Sequence, residues 1–223
     1  PFLFPSYEKV AKALDGKVGE TLAAEMQKKG VKPLIWVDYG FVQFGNNKLP
    51  LTKPEDFKGL KLRGYGELPS ETIKALGAAP VSMGAGEVYM ALQRGTIDGQ
   101  TSGTTAMFDR KMYEVTKYLT MTNHAFPEFV TAINLKAWNK LSADQKKIIE
   151  EAAKEVQTAI RSEVKNEEDK ALKNLKDKGM QVHVVPAGEL AAWQKATESV
   201  QALFIKRTGE AGKQMVEFCK NLK

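Results

Sequence analysis

Cysteine and histidine are almost missing from this sequence. Its 223 residues include one cysteine, Cys219, and two histidines, His124 and His183. A single cysteine cannot form an internal disulfide, which excludes a small secreted module held together by disulfides. Zinc sites need several Cys and His side chains, so we expect no metal site. Low cysteine content is compatible with the cytoplasm and with the bacterial periplasm.

Long hydrophobic runs are also missing. No apolar stretch approaches the roughly 20 residues that span a bilayer. The opening residues 1–5, PFLFP, do not form the basic, apolar and small-residue series of a signal peptide. They contain no methionine, and we therefore expect the sequence to begin inside a longer protein.

The sequence contains no recognisable catalytic motif. It has no nucleophile elbow, no His/Cys constellation and no metal-ligand spacing. The glycines around Ala85 are too few for a dinucleotide fingerprint. We therefore expect a protein that is not an enzyme and that needs no cofactor.

Charge of both signs is present, with a net value of +6 that favours anionic partners. Many lysines lie at helical spacing from glutamates, as Lys154 does from Glu150. This pattern is typical of a solvated helix face rather than a nucleic-acid patch. No nucleic-acid motif accompanies the lysines, so we expect no nucleic-acid partner and favour a protein that collects small acids.

Strand and helix patterns alternate through the first two thirds of the chain. One aromatic and apolar strand is predicted over 34–44, and shorter strands are predicted over 60–63, 80–83 and 97–101. The helical segments between the later strands are about 8 to 15 residues long. Such alternation predicts an α/β fold with a mostly parallel sheet.

A long helix follows this α/β region. Ser142 and Gln145 form a capping-box pattern at its start, and Gly179 suits the position after its end. About 36 residues at 1.5 Å each give roughly 54 Å, longer than a small domain is wide. A single rod would cross two domains, whereas two helices with a kink near Asn166 remain an alternative.

The segment 60–103 is the most informative part of the chain. A short apolar strand delivers Arg63 into the glycine-rich turn Gly64-Tyr65-Gly66. Ligands of α/β sheets bind at the carboxyl ends of strands, where a fixed guanidinium can pair with a carboxylate. From the residues alone, an acid anchor and a surface arginine on a strand edge are both open interpretations.

The same segment resembles the substrate-binding proteins of TRAP transporters, the DctP-like periplasmic receptors. The matching motifs keep the order and spacing of that family, and they are GLKLR at 59–63, ALGAAPV at 75–81, GEVYMALQRGTIDGQ at 86–100 and FVTAINLKAWNKLS at 129–142. The resemblance covers nearly the whole chain. It implies that roughly the N-terminal third of such a protein, with its signal peptide, is absent from this sequence.

The resemblance implies a two-lobed periplasmic-binding-protein clamshell with a long helix spanning both lobes. Lobe I would hold 1–41 and 127–165, with its remainder missing at the N-terminus. Lobe II would hold 42–126 and 166–223. Capture of a small organic acid by closure of the cleft would precede delivery to the small and large integral membrane subunits of the transporter. The receptor would be periplasmic and monomeric.

The resemblance also implies candidate ligand-binding residues. Arg63 corresponds to the carboxylate anchor of the family, and Tyr65 is close enough to help enclose a ligand. Gln100 and Ser102 lie on a loop where relatives often have Gln-Glu-Asn-Pro, so the hydrogen bond from that loop is expected to be rearranged. His124 corresponds to a pocket residue of sialic-acid-binding relatives, although a lone histidine is equally compatible with a structural role.

The strand predicted over 34–44 supplies the remaining candidates. Gln43 lies where some relatives have a second arginine, so we expect a ligand with one cationic anchor, such as a monocarboxylate. Phe41, Trp36 and Tyr39 could form an apolar wall of the pocket, and each is also compatible with a place in the core.

Two other functions remain open at this stage. A cytoplasmic regulatory module that senses a small effector would use the same α/β architecture. An α/β enzyme would need catalytic residues outside this sequence. An upstream signal peptide would argue against the regulatory module, and turnover of a substrate would be required for the enzyme.

Overall fold

The computed structural model describes residues 1–222 and contains short strands and longer helices in alternation. The strands are β1 (Val31–Asp38), β2 (Val42–Asn46), β3 (Lys61–Gly64), β4 (Ala79–Ser82), β5 (Gly99–Gly103), β6 (Tyr118–Ala125), β7 (Glu128–Asn134) and β8 (Gln181–Val184). The helices are α1 (Tyr7–Leu14), α2 (Lys17–Lys28), α3 (Glu67–Ala75), α4 (Val88–Gln93), α5 (Thr104–Asp109), α6 (Leu135–Asn139), α7 (Ala143–Asp177), α8 (Leu190–Ala196) and α9 (Glu198–Asn221).

The chain divides into two compact units. Unit 1 consists of Pro1–Leu3, Phe41–Ala125 and Glu168–Lys213, and unit 2 consists of Phe4–Gly40, 126–167 and 214–222. The predicted boundaries between the lobes lie after residues 41, 126 and 165. The corresponding boundaries between the two units lie after residues 40, 125 and 167. The grouping also differs from the prediction at both ends, where Pro1–Leu3 lie in unit 1 and 214–222 lie in unit 2.

Unit 1 contains a six-stranded sheet in the order β4-β3-β5-β2-β6-β8. β3 is parallel to β4 and β5, and β6 is parallel to β8, whereas β2 is antiparallel to both of its neighbours. The predicted mostly parallel sheet is therefore confirmed, since five of its six strands run in the same direction and β2 is the reversed strand. The antiparallel direction of β2 could not be predicted from its sequence. All five of its residues are buried, and this pattern is typical of parallel strands.

Apolar side chains cover both faces of the unit 1 sheet. Phe44 and Leu62 belong to a core cluster on one face with Phe57 and Trp193. Leu119 belongs to a second cluster, on the other face, with Met107. Because successive side chains of a strand point to opposite faces, the alternation along the strands supplies both clusters.

In unit 2, β1 pairs antiparallel with β7, and helices α1 and α2 precede β1. The single strand predicted over 34–44 is wrong, because β1 ends at Asp38 and β2 begins only at Val42. Gly40 has a φ of 97°, a left-handed conformation that interrupts an extended strand and that glycine adopts without strain. The interruption coincides with the passage of the chain from unit 2 to unit 1.

The predicted long helix is confirmed as α7, which has 35 residues and no break near Asn166. At its start Ser142 N donates to Gln145 Oε1 (2.9 Å), and Gln145 N donates to Ser142 Oγ (3.2 Å), so the capping box forms. Gly179 follows its end with a φ of 93°. The residues of α7 up to Glu167 belong to unit 2, and those from Glu168 onward belong to unit 1. Within residues 1–222, no helix has the combined length and apolarity needed to cross a membrane.

Candidate functional site

The sequence around Arg63 folds as a strand, a tight turn and a helix. Arg63 is the third residue of β3, and α3 begins at Glu67. A Cβ atom on Gly64 would lie 2.4 Å from Ser70 Oγ and 3.3 Å from Ser70 Cα, so the lack of a side chain at Gly64 favours the close approach of α3 to the strand. Gly66 has a φ of 143°, outside the range that other residues readily adopt. The two glycines therefore fix the position of Arg63 at the carboxyl end of its strand.

The side chain of Arg63 makes a hydrogen bond and an aromatic contact within unit 1. Its Nε donates to the backbone carbonyl of Met83 at 3.2 Å. Its guanidinium carbon lies 5.1 Å from the centre of the Tyr65 ring, within cation–π range. The hydrogen bond and the aromatic face both contribute to the orientation of the guanidinium.

Four predicted residues share one face of the unit 1 sheet. Arg63 is paired in register with Gln100, and Ser102 follows two residues later on the same strand. Ser102 is paired in register with Gln43 of β2. Residues paired across neighbouring strands point to the same face, as do residues two apart along a strand. All four are buried, with exposed fractions of 8% for Arg63, 2% for Gln100, 4% for Ser102 and 1% for Gln43.

Gln100 contributes a hydrogen-bond donor to this face. Its Nε2 atom is buried and has no hydrogen-bond partner in the part of the chain that the structure describes. A buried donor without a partner costs about 1–3 kcal/mol of stability. A ligand that offers an acceptor would recover this energy, so the amide of Gln100 favours binding of such a ligand.

Gln43, on the neighbouring strand β2, has a different role in the fold. Its Oε1 accepts from the backbone N of Thr122 (2.8 Å) and of Asn123 (2.9 Å). Its Nε2 donates to Asn123 Oδ1 (2.5 Å) and to the carbonyl of Phe41 (3.3 Å). The regular β2–β6 pairing is interrupted between Val42 and Phe44, and Asn123 has a positive φ of 50° there. The hydrogen bonds of Gln43 to Thr122 and Asn123 connect the two strands across this interruption. The amide of Gln43 thus holds the sheet together.

Phe41 is buried at the start of the Phe41–Ala125 segment of unit 1, and it is held by a residue that the sequence did not single out. Its backbone N donates to Glu168 Oε2 at 3.0 Å. Thr104, the first residue of α5, donates from its Oγ1 to the carbonyl of Glu168 at 3.2 Å. Glu168 is 7% exposed, whereas most glutamates of α7 are exposed. Nothing in a helix rich in glutamate distinguishes the buried one, so the sequence carries no signal for it.

His124 lies on the opposite face of the sheet from Arg63. Its ring stacks on Phe44, with centroids 4.1 Å apart and planes at 12°, and Phe44 points away from the face of its neighbour Gln43. His124 Nδ1 lies 2.7 Å from Thr122 Oγ1. Burial lowers the pKa of His124 to about 3, so the ring is neutral near pH 7. The structure therefore does not bring His124 together with the Arg63 face.

Trp36 belongs to unit 2, so it is not among the residues that β2, β3 and β5 bring together. Its backbone N donates to Gln157 Oε1 at 2.9 Å. A Cβ atom on Gly19 of α2 would lie 3.1 Å from the indole Nε1, so the indole packs against this helix. Within unit 2, Trp36 thus contributes to the packing between β1 and α2.

The polar groups of the Arg63 face are suited to an anion. Arg63 carries a positive charge, and Gln100 has a buried N–H without a partner among residues 1–222. Among residues 1–222, no three His, Cys, Asp or Glu side chains are grouped so that they could hold a metal ion. The chemistry available at this face is charge-assisted hydrogen bonding to an oxyanion.

Comparison with known proteins gives a consistent result. The profile of the family described as bacterial extracellular solute-binding protein, family 7 (DctP) matches residues 1–207. The C4-dicarboxylate-binding periplasmic protein DctP of Rhodobacter capsulatus is 36% identical over 211 residues, which are 94% of this chain and 63% of that protein. The chain thus spans less than two thirds of the length of this curated relative.

Solved structures of TRAP periplasmic solute-binding proteins have the same fold. The protein of a Polaromonas species, bound to D-erythronate, superposes with a TM-score of 0.90 at 33% identity, over 100% of this chain and 72% of that one. The protein of Chromohalobacter salexigens, with bound D-glucuronate, superposes with a TM-score of 0.93 at 25% identity, over 99% and 73%. The α/β fold class predicted from the sequence is confirmed.

Proposed function

Because this chain belongs to the bacterial extracellular solute-binding protein family 7, we propose that it is the greater part of a periplasmic receptor for a small organic acid. The receptor delivers the acid to a TRAP-type membrane transporter. Its role is binding rather than catalysis. This proposal follows the relatives, whose names and bound molecules include a C4-dicarboxylate, D-erythronate and D-glucuronate.

The observation that carries the proposal is the buried polar face shared by Arg63, Gln100 and Ser102, with the unpartnered Nε2 of Gln100 next to the guanidinium. A charge-assisted hydrogen bond between an arginine and a carboxylate contributes about 1.5–3 kcal/mol. The buried Nε2 of Gln100, next to Arg63 in the register of the sheet, adds a second donor. We propose Arg63 as the carboxylate anchor, with Tyr65 orienting its guanidinium from one side.

The remaining predicted residues have supporting roles in this proposal. Gln43 holds the irregular part of β6 in place, and the backbone of Phe41 is held by Glu168. His124 stabilises the opposite face of the same sheet through its stack on Phe44. The predicted lobe boundaries, the contribution of Trp36 to the pocket, the monomeric state and the two membrane subunits as partners stay predictions.

The test is calorimetric titration of the protein with succinate, D-erythronate and D-glucuronate. We expect at least one acid to bind, and we expect Arg63→Ala to weaken it by about 100-fold, the equivalent of roughly 3 kcal/mol. Unfolding temperature is a second measurement, because ligand at about 100 times its dissociation constant stabilises the folded state by roughly 2.7 kcal/mol.

Arg94→Ala is the matched control, since Arg94 is exposed and its removal changes the net charge by the same amount. Equal binding by Arg94→Ala and the unchanged protein, with loss only in Arg63→Ala, would support a specific anchor. Binding that survives Arg63→Ala would overturn the anchor. A protein that binds none of a wide panel of organic acids would overturn the proposed ligand class.

A further inference from the structure

We propose that Gln100 makes the site selective for acids that carry an oxygen atom on the carbon next to the carboxylate, that is, for 2-hydroxy and 2-oxo acids. The inference rests on the proposed function, because it requires Arg63 to hold the carboxylate. It adds a chemical class of ligand and a residue that selects this class.

The first step of the argument is the position of Gln100. It is the direct neighbour of Arg63 in the parallel β3–β5 pairing, and neighbouring strands lie about 4.8 Å apart. Both side chains point to the same face, and both are buried. A carboxylate held by the guanidinium of Arg63 would therefore lie beside the amide of Gln100.

The second step is the hydrogen-bonding state of Gln100. Its Nε2 atom is buried and without a partner among the described residues, 1–222. Gln43, one strand further along the same face, shows the alternative state, since its amide makes four hydrogen bonds to the protein. The two buried glutamines on this face thus differ in whether the protein itself provides partners for the amide Nε2.

The third step concerns the ligand atom that Gln100 would meet. Within a carboxylic acid, an oxygen on carbon 2 lies next to the carboxylate oxygens, so neighbouring donors can contact both groups at once. A site built to donate to a ligand oxygen discriminates against an analogue that lacks it, because the buried donor is then left without a partner. The adjacent placement of Arg63 and Gln100 matches such a pair of acceptors.

The experiment compares matched pairs of acids that differ only in the oxygen on carbon 2. The pairs are malate and succinate, lactate and propionate, and D-erythronate and 3,4-dihydroxybutanoate. Each acid is titrated into the protein, into Gln100→Leu and into Gln100→Met, which removes the donor with little change of size. Gln93→Leu is the control, because Gln93 is exposed and undergoes the same chemical change.

We expect the unchanged protein and Gln93→Leu to bind the oxygen-bearing member of a pair about tenfold more tightly than its partner. In Gln100→Leu and Gln100→Met this preference is expected to disappear, because affinity for the oxygen-bearing acid falls and affinity for its partner does not. The thermodynamic cycle formed by the two proteins and the two acids isolates the contact between Gln100 and the oxygen.

Other outcomes overturn the inference in distinguishable ways. Equal weakening of both members of a pair would mean that Gln100 contacts the carboxylate itself. A preference that persists without Gln100 would assign the oxygen to another residue. In either case binding that still depends on Arg63 would leave the proposed function intact, whereas failure of every acid to bind would remove both.

Discussion

In unit 2 the guanidinium of Arg161 lies 2.6 Å from Asp15 and 3.5 Å from Asp38, whereas in unit 1 that of Arg63 lies against the ring of Tyr65. The arginine of unit 2 is thus surrounded by carboxylates of the protein itself. The face around Arg63 instead includes a buried amide donor, Gln100 Nε2, without a partner among residues 1–222.

The cluster around Arg161 contains three carboxyl groups, those of Asp15, Asp38 and Glu128, and one cation. Asp38 is paired in register with Glu128 at one end of the β1–β7 ribbon. Burial raises the pKa of Glu128 to about 8, and the charge of Asp38 acts in the same direction while Arg161 opposes it. Burial also raises the pKa of Asp38. A surplus of buried carboxyl groups favours binding of a proton, whereas a buried cation without a carboxylate favours binding of an anion.

The largest expected effect concerns Arg161. Substitution Arg161→Met would leave Asp15, Asp38 and Glu128 without their cation. Removing one member of a buried ion pair is strongly destabilising, and we expect the free energy of unfolding to fall by about 3 kcal/mol near pH 7. Urea unfolding followed by circular dichroism measures this change.

Arg207→Met is the matched control for this substitution. Arg207 also pairs with a carboxylate, that of Glu67 at 2.5 Å, but both side chains are more than half exposed. Exposed pairs contribute about 0–1 kcal/mol, so the control should unfold nearly like the unchanged protein. Equal losses in the two variants would show that burial does not distinguish the two arginines.

The next effect distinguishes the two buried glutamines of unit 1. Gln43→Leu would leave the backbone N atoms of Thr122 and Asn123 without their acceptor, and we expect a loss of about 2 kcal/mol. Gln100→Leu removes a donor that has no partner in the described chain, so we expect no loss of stability without ligand. Urea unfolding of both variants, without ligand, measures the difference. A loss in Gln100→Leu as large as in Gln43→Leu would contradict the assignment of Gln100 to the ligand.

Much of the fold could be predicted from local signals in the sequence. Ser142, Gln145 and Gly179 act within a few residues of their own positions, so the bounds of α7 followed directly. Arg63 could be singled out because the glycine-rich turn after it is continuous in sequence. These features require no knowledge of which strands are neighbours.

The partners of the site residues could not be predicted, because they depend on strand order and register. Arg63 and Gln100 are 37 positions apart and become neighbours only through the β3–β5 pairing. The stack of His124 on Phe44, which places it on the opposite face, depends on the irregular β2–β6 pairing. The contact of Glu168 with Phe41 joins two segments of unit 1 that are 127 positions apart in the sequence. Each is a long-range contact that no local pattern encodes.

The smallest expected effect concerns the proton held in unit 2. The pKa of Glu128 is about 8 in the folded state and near its ordinary value of 4.5 in the unfolded chain. At pH values between 4.5 and 8, the folded state therefore keeps a proton that the unfolded chain releases. The stability due to this proton is fully present below about pH 4.5 and is lost as pH rises through 8. Glu128→Gln mimics the protonated form at every pH, so it should remove this loss.

We expect Glu128→Gln to match the unchanged protein at about pH 5 and to be more stable by roughly 1–2 kcal/mol at about pH 9, since solvent screening reduces the effect for a partly exposed group. Urea unfolding across this range gives the comparison, with the exposed Glu25→Gln as control. The charged groups around Glu128 are Asp38 and Arg161, and Asp15 contacts Arg161. Because the charge of Asp38 helps to raise the pKa of Glu128, Asp38→Asn should reduce the change of unfolding free energy with pH. A Glu128→Gln variant that is less stable than the unchanged protein at about pH 9 would mean that the ionised carboxylate is stabilised by Arg161. The two units would then bury their arginines for the same purpose, which is to hold an anion.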